Sequence, residues 1–123
     1  MEHQVAKCSG EMLYVKDAIE FISGKWKLLI LISITSGNRR FREIERSIPK
    51  ITSKVLAKEL KDLEQYKLIE RRVHAQTPVL VEYLVTPYTS SLAPVIDALN
   101  TWGKNHREIV LGATTQNAVM TEI

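Results

Sequence analysis

The stretch Ser47-Ile48-Pro49-Lys50-Ile51-Thr52 sets the tightest limit on what this chain can become. Ahead of it, Phe41, Ile44 and Ile48 recur at helical spacing. Pro49 ends that helix, because a residue preceding proline is pushed out of α space. Beyond it, Thr52 is a good N-cap, and Ile51 can staple onto Leu56. Leu56, Leu60, Leu63 and Lys67 then share one face of a second helix running to about Gln65. Two helices joined by so tight a turn must cross, and their apolar faces need a third element to cover them.

The run Trp26 to Ile34 (WKLLILISI) supplies that cover. It is apolar nearly all round. Its isoleucines would suit a buried strand, but its reach from Lys25 to the Gly37-Asn38 break favours a central buried helix. Val15, Ala18, Ile19 and Ile22 mark an earlier helix over Tyr14–Ser23, stopped by Gly24. After Gln65 the period changes. Ile69–His74 and Leu80–Val85 read as strands about the loop Ala75–Val79, a hairpin placed as a wing. From Thr89 to Val110 an apolar stripe of Leu92, Val95, Ile96, Leu99, Trp102, His106 and Ile109 predicts one long helix. The expected fold is mainly α with a small β-hairpin (α+β): a winged helix-turn-helix with N- and C-terminal dimerisation helices. Residues 1–12 read as an N-terminal arm, 13–110 as the domain with its dimerisation helix at 89–110, and 111–123 as a flexible tail.

Charge follows this layout. Arg39 to Arg72 holds eleven Lys/Arg and six Asp/Glu, a local +5, while the remainder holds six basic and eight acidic residues, a net −2. Opposite the leucine face of the second helix lie Lys54, Lys58, Lys61 and Gln65. A helix entering the DNA major groove needs such a face, with cations for phosphates and polar groups for base edges. Thr52, Ser53 and Lys54 form its exposed N-terminal turn. Arg39, Arg40 and Arg42 flank it, and Arg72, His74, Gln76 and Thr77 belong to the wing. The expected partner is double-stranded DNA. A winged helix serving as an RNA-binding or protein-interaction module remains the alternative.

Other classes find little support. At 123 residues there is room for one core. No apolar run reaches membrane-spanning length and the start lacks a secretory layout, so the expected location is the cytoplasm and no membrane partner is expected. One cysteine, Cys8, leaves no intrachain disulfide and no Cys-rich zinc site. His3, His74 and His106 are scattered, and no phosphate loop or nucleophile elbow occurs. No catalytic site, metal or cofactor is expected, and Trp26, Trp102 and His106 read as core or interface residues.

Several ordered motifs resemble the HxlR family of bacterial winged-helix regulators. They are Gly24-Lys25-Trp26-Lys27-Leu28-Leu29-Ile30-Leu31, Arg40-Phe41-Arg42-Glu43-Ile44, Ile51-Thr52 with Leu56 and Leu60, Leu63-Glu64 with Leu68-Ile69, Val81-Glu82-Tyr83 with Thr86, and Trp102-Gly103. The resemblance implies a homodimeric transcription regulator on a palindromic operator. The stripe Leu92, Val95, Ile96, Leu99, Trp102, His106, Ile109, helped by Val15 and Ile19, would form the dimer interface. It also implies a redox- or electrophile-sensing role for Cys8, beside Lys7, although Ser9 stands where the family has proline. Lys67 stands where the family usually has glycine, Leu80 where a basic wing residue is common, and Thr89 where glycine is frequent.

Overall fold

In the computed structural model the backbone of residues 2–122 and the side chains from residue 12 to residue 112 are described. The element order is α1 (Glu2–Ile22), α2 (Lys27–Thr35), α3 (Phe41–Ser47), α4 (Ser53–Gln65), β1 (Ile69–His74), β2 (Leu80–Val85), a 3-10 helix (Pro87–Leu92) and α5 (Ala93–Glu122). They form two units, Met1–Thr86 and Pro87–Ile123.

In the first unit the core is built where the three expected helices meet the root of the hairpin. Ile30, Leu31 and Ile34 of α2 are buried with Ile44 of α3, Ile48 and Ile51 of the turn, Leu56, Leu60 and Leu63 of α4, and Leu68 and Ile69. Each such aliphatic side chain contributes about 1.5–3 kcal/mol relative to exposure. The run at α2 is a helix, as its length suggested, but it is not buried all round: Leu29 and Ile32 stay exposed. One polar side chain joins this core. Buried Ser33 stands 2.5 Å from Ser47 Oγ, and its hydroxyl accepts from Asn38 Nδ2 at 3.2 Å, so α2, α3 and their linker share a satisfied polar contact.

The end of α4 departs from its periodicity. Lys67 continues the leucine face in the sequence, yet it lies outside the helix at φ 64°. The Leu68 N–H donates to Leu63 C=O and the Lys67 N–H to Glu64 C=O, each at 3.0 Å. This is a Schellman motif, with buried Leu63 and Leu68 as its apolar pair. The motif turns the chain directly into β1. Thr86 closes the hairpin on the same corner, its hydroxyl donating to Lys67 C=O at 2.7 Å.

β1 and β2 pair antiparallel in one two-stranded sheet, with Arg71 opposite Tyr83 and Arg72 opposite Glu82. Tyr83 N–H also donates to Arg39 C=O at 2.7 Å, which ties the α2–α3 linker to the outer edge of the wing.

In the second unit the single helix expected from Thr89 is divided. A 3-10 turn covers Pro87–Leu92 and the α-helix begins at Ala93. Pro94 explains the change: lacking an N–H, it cannot bond back to Ser90 C=O, so no α ladder crosses this point. Further differences lie at the ends. α1 starts at Glu2 rather than Tyr14, and α5 reaches Glu122, with Gly112 (φ 53°, ψ −136°) as a non-helical kink. Both ends therefore have helical backbone where the sequence reads an arm and a tail.

Candidate nucleic-acid interface

The cationic face is a consequence of how α4 is seated. Thr52 caps it from extended backbone, its Oγ1 accepting from Val55 N–H at 3.2 Å. Leu56, Leu60 and Leu63 point into the core, so Lys54, Lys58 and Lys61 must stand outward, and all three are exposed. Lys58 reaches Asp62 at 3.3 Å on the helix surface. Among the described residues Lys54 and Lys61 have no acidic group within ion-pair distance. The Ser53 hydroxyl, expected to be open to bases, donates to the Glu45 carboxylate of α3.

α4 is also pinned from behind by charge. Lys27 of α2 lies 2.6 Å from Glu59 and 3.6 Å from Asp62, and the Lys27 and Glu59 side chains are each only 13% exposed. Desolvation pulls the Lys27 pKa down, but its hydrogen bond to Glu59 and the charges of Glu59 and Asp62 outweigh it, and the net shift is upward. Sequence reading missed this pair. The one signal was a lysine inside an otherwise apolar run, separated by 32 positions from its partner.

The three arginines ahead of α4 are exposed, as expected of Arg39, Arg40 and Arg42. The backbone of Arg39 and Arg40 is fixed by Glu43, whose carboxylate accepts from Arg40 N–H at 3.2 Å and Arg39 N–H at 3.1 Å. The bond from Arg40, then that from Arg39, holds the Glu43 pKa below its ordinary value.

Two of the four wing residues expected at DNA have acidic neighbours. Arg72 pairs with Glu70 at 3.6 Å, and His74 Nε2 lies 2.9 Å from Glu82 Oε1. Strand alternation puts Glu70, Arg72, His74 and Glu82 on one face, so both Arg72 and His74 meet carboxylates. Gln76 and Thr77 are exposed at the tip, where Gln76 N–H donates to His74 C=O at 2.9 Å. Arg71, on the opposite face with Tyr83, was passed over in the sequence. The parity of the strand would have separated it from Arg72.

Most of the residues expected to meet a second copy are exposed. On α1, Val15 and Ile19 are exposed. Leu92 and Ile96 are half-buried, whereas Val95, Leu99, Trp102 (65%) and Ile109 (78%) are exposed. His106 is exposed too, stacked on Trp102 with ring centroids 4.6 Å apart. The Cys8 side chain lies outside the described residues. Among those residues no helix is long and apolar enough to cross a membrane, and no group of His, Cys, Asp and Glu could hold a metal ion.

Known proteins resemble this chain in sequence and fold. An HTH-type transcriptional regulator of Methanothermobacter thermautotrophicus is 44% identical over 97 residues, covering 76% of this chain and 74% of its own. The crystal structure of the HTH-type regulator YtcD, a protein of Bacillus subtilis, matches with a TM-score of 0.72 at 41% identity, over 76% of this chain and 96% of that one. The reduced form of the B. subtilis transcriptional regulator YodB matches with a TM-score of 0.65 at 37% identity, over 71% and 85% of the two chains. The family model for the HxlR-like helix-turn-helix covers residues 21–110, from the end of α1 through the wing and into α5, and the chain belongs to that family of transcriptional regulators.

Proposed function

We propose that the protein acts in the cytoplasm as a homodimer on a palindromic duplex, with one α4 helix of each copy in the major groove. The observation that carries this reading is the exposed Lys54, Lys58, Lys61 face directly behind buried Leu56, Leu60 and Leu63. The rigid seat provided by Lys27 and Glu59 supports it, since base readout needs a helix held in a fixed orientation. The arginines at 39, 40 and 42 serve the phosphates on the flank. Of the four wing residues expected at DNA, Gln76 and Thr77 are the better placed, because Arg72 and His74 meet acids. The two half-sites stand about 10 bp apart, or a multiple of that, as a two-fold dimer requires.

We further assign Cys8 as the sensor of oxidants or electrophiles. YodB has been solved reduced, diamide-treated and quinone-bound, and HypR is a redox regulator solved in reduced and oxidised forms.

The test is selection of bound fragments from the protein's own genome, followed by salt titration on the winning duplex. Replacing Lys54 or Lys61 by Ala should weaken binding and flatten the log–log salt slope by about 0.9 each. Failure to prefer any genomic fragment over random duplex would overturn the reading.

A further inference from the structure

A cleft of about 320 Å³ opens between α3, α4 and the hairpin, lined by Phe41, Ala57, Lys61, Glu64, Arg71 and Tyr83 among its residues. Its existence follows from local rules. Arg71 and Tyr83 are cross-strand partners on the face that also carries buried Ile69, so both lean towards α4 rather than away from it. Ala57 is the smallest side chain on that flank of α4, and its brevity leaves the space open. The volume falls at the small end of ligand sites.

The chemistry of the lining is specific. Two aromatic rings, Phe41 and Tyr83, come from different elements, and two cations, Lys61 and Arg71, come from two more. Among the described residues neither cation has a carboxylate within 4.0 Å. Glu64, also lining the cleft, reduces the local formal charge to +1. A flat ring would lie against the aromatic walls, and its single carboxylate would take the planar fork of Arg71 with Lys61 alongside. A second carboxylate would meet Glu64. We propose that this cleft is an effector site for small aromatic monocarboxylates, and that filling it weakens DNA binding.

The coupling has a direct route. Lys61 belongs both to the cleft and to the cationic face of α4, so a bound carboxylate competes with a phosphate for the same ammonium. The ligand also sits where α4 and the wing must hold their spacing. By linkage, duplex DNA must weaken the ligand by the same factor. This second half rests on the DNA-binding reading; occupancy of the cleft does not.

The experiment is an amide NMR titration of the full chain with benzoate, benzyl alcohol, isophthalate and inorganic phosphate. Benzoate should bind with a Kd on the order of 1 mM, shifting signals of Phe41, Lys61, Arg71 and Tyr83. Benzyl alcohol and isophthalate should bind about tenfold more weakly, and Arg71→Met should lose benzoate by a similar factor while keeping its circular dichroism spectrum. If that variant fails to fold, Lys61→Met tests the same charge. Shifts clustered elsewhere, equal binding of benzyl alcohol, or a tighter response to phosphate than to benzoate would overturn the site. Operator affinity measured at constant ionic strength should then fall at least about threefold in 10 mM benzoate, a consequence of a coupling of that size. Benzoate that fills the cleft without changing operator affinity would overturn the coupling and leave the site standing. A protein that fills the cleft but binds no DNA would refute the DNA-binding reading and, with it, the coupling.

Discussion

The Lys27 ammonium of α2 lies 2.6 Å from Glu59 Oε1 of α4, and both side chains are nearly closed off from solvent. The helix proposed to read DNA is thus fixed on its inner side by an ion pair, and on its inner stripe by leucines. A part-buried pair of this kind stabilises little relative to two apolar groups, but it is costly to break from one side. Joining α2 to α4 across the core, it is placed to fix the rotation of α4 about its own axis.

Lys27→Met should therefore destabilise the fold by about 1–3 kcal/mol, because Glu59 is left part-buried without its partner. The double variant Lys27→Met/Glu59→Leu should recover most of that loss in urea unfolding. Its operator affinity should nevertheless stay below wild type if the pair sets the angle of α4. The sign of the pH effect follows from the raised pKa. The stabilisation is complete below the unfolded value near 10.5 and is lost as pH rises through the higher folded value. Wild type should lose stability on that alkaline limb, and the double variant should lose less.

Much of this molecule was legible in the sequence because its signals are local. Thr52, Pro49 and the leucine spacing determine α3, the turn and α4 within a few residues, and strand limits at Ile69–His74 and Leu80–Val85 follow from the change of period. What stayed hidden depends on partners distant in the chain. The contact of His74 with Glu82 needs the hairpin register, and the Lys27–Glu59 pair needs the crossing of α2 and α4. The 3-10 start before α5 was readable from Pro94, but the stripe of apolar residues masked it.

Lys67 occupies the left-handed C′ position of the α4 cap with φ 64°, a conformation that costs a side-chain-bearing residue about 1–2 kcal/mol. Lys67→Gly should relieve this strain. Part of the gain is offset by the greater freedom of glycine in the unfolded chain. A net stabilisation of about 0.5–1 kcal/mol is expected in urea unfolding, with unchanged operator affinity because Lys67 lies beyond the proposed reading face. A destabilised Lys67→Gly protein would show that the lysine makes a contact outweighing its backbone cost.

Glu43 receives the N–H groups of Arg40 and Arg39 and so caps α3. Its pKa is lowered, so the stabilisation is present above the ordinary value of 4.5 and is lost as pH falls through the lower folded value. Glu43→Ala should lower Tm at neutral pH, and the gap from wild type should narrow below pH 4. A gap independent of pH would assign the loss to packing instead.

Cys8 can form a sulfenic acid, a mixed disulfide or a bridge between copies, since each chain has one cysteine. Diamide or a quinone should change operator affinity in wild type and leave Cys8→Ser unaffected. Confirmed modification of the thiol with constant affinity would remove it from the signalling route.

The last expectation concerns assembly. Val95, Leu99, Trp102, Ile109 and Val110 leave α5 exposed along one stripe, and Val15 and Ile19 do the same on α1. Exposed apolar surface of this extent marks an interface, and in the proposed homodimer an identical copy would meet the same surface through a two-fold axis. Trp102 is the strongest anchor: it is 65% exposed, and its ring is already stacked on His106 at 4.6 Å. Rigid aromatic groups of this kind dominate interface energetics. Trp102→Asp should leave the core of the first unit intact, because Trp102 is exposed and belongs to the second unit. It should convert a dimer at micromolar concentration into a monomer in sedimentation. Operator binding should weaken about a hundredfold or more, since two half-sites would no longer be engaged by one linked pair. A variant that sediments as a dimer and binds as wild type would place the two-fold contact elsewhere.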